Sequence, residues 1–197
     1  DLQDKIEKLK DSGSDKTSLV EVNEQIEEIK IKIDKKLSDI YKKLTFWELE
    51  LDKTAEESVE DILSMQKTEA NTQFFRFVKN NYKKWIKGED APLLSHNLMR
   101  KNVFTHLKEN QPIYFILIDN LRFDQWKVIE PEILNDFRVK KEEIYYSILP
   151  TATQYSRNAI FSGMLPSEME KRFPGKWKND EDEGGKNMFE EDFLRDQ

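Results

Sequence analysis

The sequence has no cysteine, so disulfides and thiolate metal sites are excluded. Histidine occurs only at His96 and His106, and each reads as a surface or packing residue rather than a ligand. No apolar run approaches the roughly 20 residues a membrane-spanning helix needs. Positive charge is not in excess: the net charge is -7 and the pI near 5.1. Nothing resembles a basic face for phosphates, which argues against a general nucleic-acid binder. The first residues, Asp1-Leu2-Gln3-Asp4-Lys5, lack an initiating Met and the apolar core of a signal peptide. They read as the cut edge of a longer protein, and Phe193 to Gln197 also stops without a closing feature. What is present is charge, 36% of residues, against 37% hydrophobic. A long solvated helical region would explain both values. The 197 residues allow one ordinary domain, or a small one plus part of another.

Leu2, Ile6 and Leu9 have helical spacing, and Asp11-Ser12-Gly13-Ser14-Asp15 breaks it. Ser18 with Glu21 reads as a capping box that opens a long helix. Its apolar stripe is Leu19, Val22, Ile26, Ile29, Ile33, Leu37, Ile40, Leu44, Trp47 and Leu51, in steps of mostly three and four. That is a coiled-coil or bundle seam. Val20, Ile31 and Tyr41 widen the apolar face, which predicts more than one helix partner. Asp52-Lys53 is a turn, and Thr54 with Glu57 is a second capping box. The helix it opens runs to about Lys87 and carries Val59, Ile62, Gln66, Ala70, Phe74, Phe77 and Trp85 on one side. The short turn predicts antiparallel neighbours, with this aromatic stripe as core packing.

Gly88-Glu89-Asp90-Ala91-Pro92 marks a boundary, followed by a short helix from Asn97 to Lys108 that Gln111-Pro112 stops. Pro112 to Ile118 is too apolar for a half-exposed strand and predicts a central parallel strand covered on both faces. Phe123 to about Asn135 is helical with an interruption near Pro131. Glu142 to Ile148 reads as a second strand, and Gln154 to Phe161 as a helix ended by Gly163. Leu165-Pro166-Ser167 with Glu170 opens another short helix, and Phe173-Pro174-Gly175 is a turn. The run Asn179 to Asn187 is an acidic loop whose spacing does not match a calcium loop; a solvated loop is expected.

Two βα units in succession place Asp119 and Thr153 near the carboxyl ends of neighbouring strands, where such sheets collect ligands. A carboxylate emerging there is costly unless a metal ion or a basic partner such as Arg157 or Arg122 compensates it. Thr153 stands just before a helix, where first-turn N–H groups can hold an anion such as phosphate. A divalent metal would turn its weakly nucleophilic hydroxyl into a good nucleophile. Two readings stay open: half of a phosphoryl-transfer site, or an Asp that caps the next helix beside a Thr that is an ordinary N-cap.

Two runs carry a resemblance. One is Ile118-Asp119-Asn120-Leu121-Arg122-Phe123-Asp124-Gln125-Trp126; the other extends from Leu149-Pro150-Thr151-Ala152-Thr153-Gln154-Tyr155-Ser156-Arg157 to Phe161-Ser162-Gly163. Together they resemble the PglZ domain of the alkaline phosphatase superfamily, and more closely the one in PorX-type response regulators. Tyr41 to Leu51, Gln66 to Asn71 and Trp177 to Asn187 are also similar, so the resemblance covers most of residues 40–197.

The resemblance implies an α/β fold: a helical bundle linker at 1–88, then the amino-terminal part of an alkaline-phosphatase-like parallel sheet with flanking helices at 89–197. It implies that Asp119 is a metal ligand and that Thr153 is both ligand and nucleophile, with Thr151 as runner-up. The family binds two zinc ions, which clamp the attacking and leaving oxygens about 4 Å apart, and hydrolyses phosphoesters through a phospho-Thr intermediate. The implied protein is a cytoplasmic two-component response regulator. Its zinc phosphodiesterase output domain acts on nucleotides or oligonucleotides and controls type IX secretion. It dimerises through the helical region, and its implied partners are a sensor kinase and a sigma factor. The resemblance also departs in places. No receiver domain is visible, and the family's remaining ligands are expected beyond Gln197, so zinc is expected to be absent or partial here and this chain alone inactive. The alternative is a non-catalytic interaction or dimerisation module.

Overall fold

The computed structural model describes residues 35–51 and 57–197, which fall into two compact units that divide between Asn80 and Asn81. The helix expected at residues 1–10, the capping boxes at Ser18 and Thr54, the turn Asp52-Lys53 and the stripe from Leu19 to Ile33 lie outside the described residues.

In the first unit, α1 covers residues 35–51 and α2 begins at Glu57, ending at Trp85 beyond the unit's limit. Lys, Glu and Leu without any Gly or Pro favour both helices. Glu48 of α1 and Lys67 of α2 form an ion pair at 2.5 Å, which sets the two helices side by side. The expected core stripe is largely open. Ile40, Trp47, Ile62 and Phe74 are all exposed; among the described residues of the stripe only Trp85, which falls in the second unit, is buried. The physical reason is geometric: a wide apolar face needs more than one neighbouring helix to cover it.

In the second unit α2 is followed by a turn that reaches Gly88, in the left-handed region at φ 79°, where the Gly88 and Glu89 N–H groups donate to the carbonyls of Trp85 and Lys84. The helix expected from Asn97 to Lys108 is instead a chain of short turns: 3-10 at Ser95–Asn97, π at Met99–Val103 and 3-10 at Phe104–His106. Helix α3, Phe123–Ile133, keeps Pro131 inside its last turn. Lys127 of α3 pairs with Glu130 and with Glu142, at 2.8 and 2.7 Å. Helix α4, Thr153–Ser162, is the centre of the unit, with Asn158, Ala159, Ile160 and Ser162 buried. Around it lie the Ser95–Asn97 turn, α5 at Pro166–Arg172 and α6 at Glu190–Asp196. The core is Leu94, Met99, Ile148, Ala159, Ile160, Met164, Met169, Trp177 and Phe193. The short helix expected after Leu165-Pro166-Ser167 is present, and its N-terminus is capped by Glu168, whose carboxylate accepts from the Leu165 N–H at 2.7 Å.

The parallel sheet is not seen among the described residues. Residues 112–118 carry neither helix nor ladder pairing. Tyr114 is 85% and Ile116 79% exposed, so the run is not covered on both faces. Residues 142–148 do not pair with it: Tyr146 forms an isolated parallel bridge with Leu94 instead. A central strand needs neighbours on both edges, and one bridge does not supply them. The run still keeps a direction. Phe115 meets Phe161, near the end of α4, edge to face at 6.2 Å, while Asp119 lies beside the start of α4. The segment therefore runs against α4, as a strand does in a βα unit.

Helix α4 ends as expected at Gly163, in the left-handed region at φ 64°. Gln197 donates to the carbonyls of Ile160 and Phe161 there, and a Cβ on Gly163 would stand 2.8 Å from the Gln197 side chain. Gly163→Ala should lower stability by about 1–2 kcal/mol, the cost of placing an L-residue in that conformation. Urea unfolding of the chain reads this directly, and an unchanged midpoint would refute it. Among the described residues no helix is long and apolar enough to cross a membrane.

Candidate functional site

Asp119 and Thr153, 34 residues apart in sequence, are brought together. The Thr153 hydroxyl donates to Asp119 Oδ2 at 3.5 Å, the outer limit of a hydrogen bond. Neither residue does the ordinary capping work that competes with a role in chemistry. The N-cap of α4 is Ala152, with no side-chain cap, and Thr153 is the first helical residue. The N-cap of α3 is Arg122, whose N–H donates to Gln125 Oε1 at 3.0 Å. Asp119 instead lies in a turn with Asn120, which adopts the left-handed φ of 58° that Asn tolerates. Thr151, the runner-up, is exposed, and its carbonyl accepts from the Ser156 hydroxyl at 3.1 Å.

Of the two expected basic partners for Asp119, Arg157 is the one in place. Its Nη1 donates to Asp119 Oδ2 at 3.3 Å. Arg122 turns to Asp124 instead, with contacts of 3.0 and 2.6 Å, and this hydrogen bonding holds the Asp124 carboxyl at about 2. Arg157 is itself fixed. Glu190, at the start of α6, accepts from Nε at 2.5 Å and from Nη2 at 2.6 Å. This bidentate pairing holds the guanidinium more firmly in its charged form. The order of side chains is therefore Thr153, Asp119, Arg157, Glu190, a row of alternating hydrogen-bonding roles across one face of α4.

The acidic loop after Trp177 is exposed from Asn179 to Gly185, as expected, and it is also tied down from within. The Lys186 ammonium donates to the carbonyls of Asn179, Asp180 and Asp182, so these carbonyls are taken up by a cation of the loop itself. Gln154 Nε2 donates to Asp180 Oδ1. Asp180 also hydrogen-bonds Tyr155 and pushes its phenol above the ordinary range. Asn158, buried in α4, donates to the Lys186 carbonyl at 3.0 Å. Asn187 Nδ2 reaches Asn158 Oδ1 at 3.0 Å and the Thr153 carbonyl at 3.2 Å. The loop is thus strapped to the first two turns of the helix that carries Thr153. The sequence reading missed Glu190, Asn158, Asn187 and Lys186. The signal available was similarity through Asn187 in a run without hydrophobic periodicity.

Chemically, the row offers a hydroxyl at a helix start, a carboxylate within reach of it and a fixed guanidinium. Among the described residues no group of three or more His, Cys, Asp or Glu side chains is placed to hold a metal ion. Asp119 and Thr153 offer two oxygen ligands, short of the four that zinc takes. The described residues alone therefore do not fit a complete zinc site. His96 lies elsewhere, near Glu168, with burial lowering its pKa.

Comparison with protein families gives two matches. Residues 19–86 match the model described as the PorX response regulator linker domain. Residues 98–196 match that of the BREX system PglZ alkaline phosphatase-like domain. No curated protein matches the chain.

Proposed function

Because this chain belongs to the PglZ alkaline phosphatase-like family and carries the linker domain of PorX response regulators, we propose that it is the linker and catalytic part of a response regulator that hydrolyses phosphodiesters. A phosphoesterase-type hydrolase is what the family match supports; the diester preference, with nucleotides or short oligonucleotides as substrates, is the finer reading. The carrying observation is the 3.5 Å approach of Thr153 Oγ1 to Asp119 Oδ2, two side chains that neither cap a helix nor build the core.

In this reading Thr153 is the nucleophile, and its hydroxyl proton is held toward Asp119. Arg157, locked by Glu190, keeps the Asp119 carboxylate aimed at the Thr153 hydroxyl. Asp119 and Thr153 are also assigned as two oxygen ligands of the family's zinc site, and no complete site is assigned to the described residues. The regulator is placed in the cytoplasm, with a sensor kinase and a sigma factor as partners and type IX secretion as the process it controls. The exposed stripe of Ile40, Trp47 and Ile62 favours a homodimer through the helical region.

The test is turnover of bis(p-nitrophenyl) phosphate against p-nitrophenyl phosphate by the protein at its natural length, with zinc content measured on the same preparation. Diester hydrolysis lost on chelation and restored by zinc is expected. No zinc and no hydrolysis would sink this reading and leave the alternative of an interaction and dimerisation module.

A further inference from the structure

The segment that delivers Thr153 to its helix is held by residues 82–95. The Tyr146 N–H donates to the Leu93 carbonyl at 2.9 Å. The Ile148 N–H donates to Ser95 Oγ at 3.1 Å, in a buried setting. The Leu149 N–H donates to the Tyr82 hydroxyl oxygen at 2.6 Å. That hydroxyl in turn lies 3.3 Å from the Leu149 carbonyl, to which it donates, so one side chain engages both main-chain groups of Leu149. Trp85, one turn further along α2, packs its ring 5.4 Å from that of Tyr146.

These bonds differ in what they accomplish. The Ser95–Ile148 bond is buried, so it satisfies a group that water cannot reach. Leu149 is exposed, and water could satisfy its N–H and carbonyl equally well. The Tyr82 bonds are therefore not required by burial. What they add is a fixed conformation at Leu149, four residues before Thr153. Downstream, the strap from Asn187 to the Thr153 carbonyl fixes the helix side. Between these two anchors the chain has little freedom in where it presents the Thr153 hydroxyl to Asp119.

We infer that Tyr82 is a positioning residue for Thr153, acting through the main chain of Leu149. The inference rests on the reading of Thr153 as nucleophile. It also gives the linker a grip on the site, because Tyr82 falls within residues 19–86, which match the linker domain. A shift of the last turn of α2 then moves the point at which Thr153 enters α4.

Tyr82→Phe isolates the hydroxyl, because the ring and its contacts with Trp85 remain. In the protein at its natural length, kcat for bis(p-nitrophenyl) phosphate should fall about tenfold, since misplacement by 1 Å can cost up to about a hundredfold. KM should stay within about twofold and the melting midpoint should not move. Backbone amide exchange should quicken at residues 149–155 and nowhere else. Unchanged exchange there overturns the inference, as does an unchanged kcat, and so does a fall in kcat that is matched by a general loss of stability. Exchange needs no turnover, so a wild type without hydrolysis would count against the enzymatic reading while exchange still decides the role of Tyr82.

Discussion

Thr153→Ala should lower kcat for phosphodiester hydrolysis by at least about a thousandfold while leaving the fold intact. The scale follows from what is removed: a reaction that passes through a covalent intermediate has no substitute for its nucleophile, and such losses are among the largest single-residue effects. The fold is spared because Thr153 does little structural work. Ala152 is the cap of α4, and the one side-chain bond Thr153 makes is long, at 3.5 Å. Losing that bond costs less than about 1 kcal/mol. Alanine is also the best helix former for the first turn. Thr153→Ser keeps a hydroxyl and should retain activity within about tenfold. Thr151→Ala removes an exposed side chain and should leave kcat within about threefold. Steady-state kinetics on the three variants decides the assignment. An active Thr153→Ala beside an inactive Thr151→Ala would move the nucleophile to Thr151. Activity in both would remove the covalent mechanism altogether.

The parts of this site that were legible in the sequence are those set by local chemistry. Gly163 announces the end of α4 because only glycine takes that φ cheaply. The helix from Phe123 was visible in its pattern, but it ends at Ile133 rather than near Asn135, and Pro131 lies inside its last turn instead of interrupting it. Arg157 could be named as a partner for Asp119 because a carboxylate expected at the end of a buried apolar run calls for a compensating cation. Its own restraint could not be named. Glu190 is 33 residues further on, in a helix of seven residues whose position depends on how α6 packs. Lys186 illustrates the same limit more sharply. Acidic residues spaced along a loop suggest an external cation, yet backbone carbonyls do the accepting and the cation comes from the loop itself. Carbonyl geometry leaves no mark in composition.

Residues 113–118 show the opposite case, in which composition reads clearly and the described structure does not follow. The run has the apolar character of a buried central strand, and its line along α4 agrees with that. Strand pairing, however, is a property of two chains side by side, and 142–148 turns to Leu94. What hydrophobicity specifies is the preference for burial; it does not name the neighbour that supplies it. The segment that leads into Thr153 thus takes its hydrogen bonds from Leu93, Ser95 and Tyr82.

Phe193→Ala should destabilise the second unit by about 3–5 kcal/mol, the usual cost of deleting a buried aromatic ring. Phe193 is 1% exposed and packs against Phe173 at 5.2 Å, on the face where α6 meets α4. Three ion pairs also hold α6: Asp192 to Lys176 and Asp196 to Arg172, both partly exposed and each worth little, and the less exposed Glu190 to Arg157, where a charge pair still contributes less than a buried ring. The ring is therefore the main anchor of the helix. Its loss should reach the site, because Glu190 opens α6 and fixes Arg157, which in turn holds Asp119 beside Thr153. Phe193→Leu fills most of the space and should recover more than half of the lost stability. Denaturant unfolding measures both, set against a domain stability of roughly 5–15 kcal/mol. A cost below about 1 kcal/mol for Phe193→Ala would mean that the ion pairs hold α6. The Arg157 row would then owe its order to surface charge, and high salt should loosen it; if the ring is the anchor, the row should persist as salt rises.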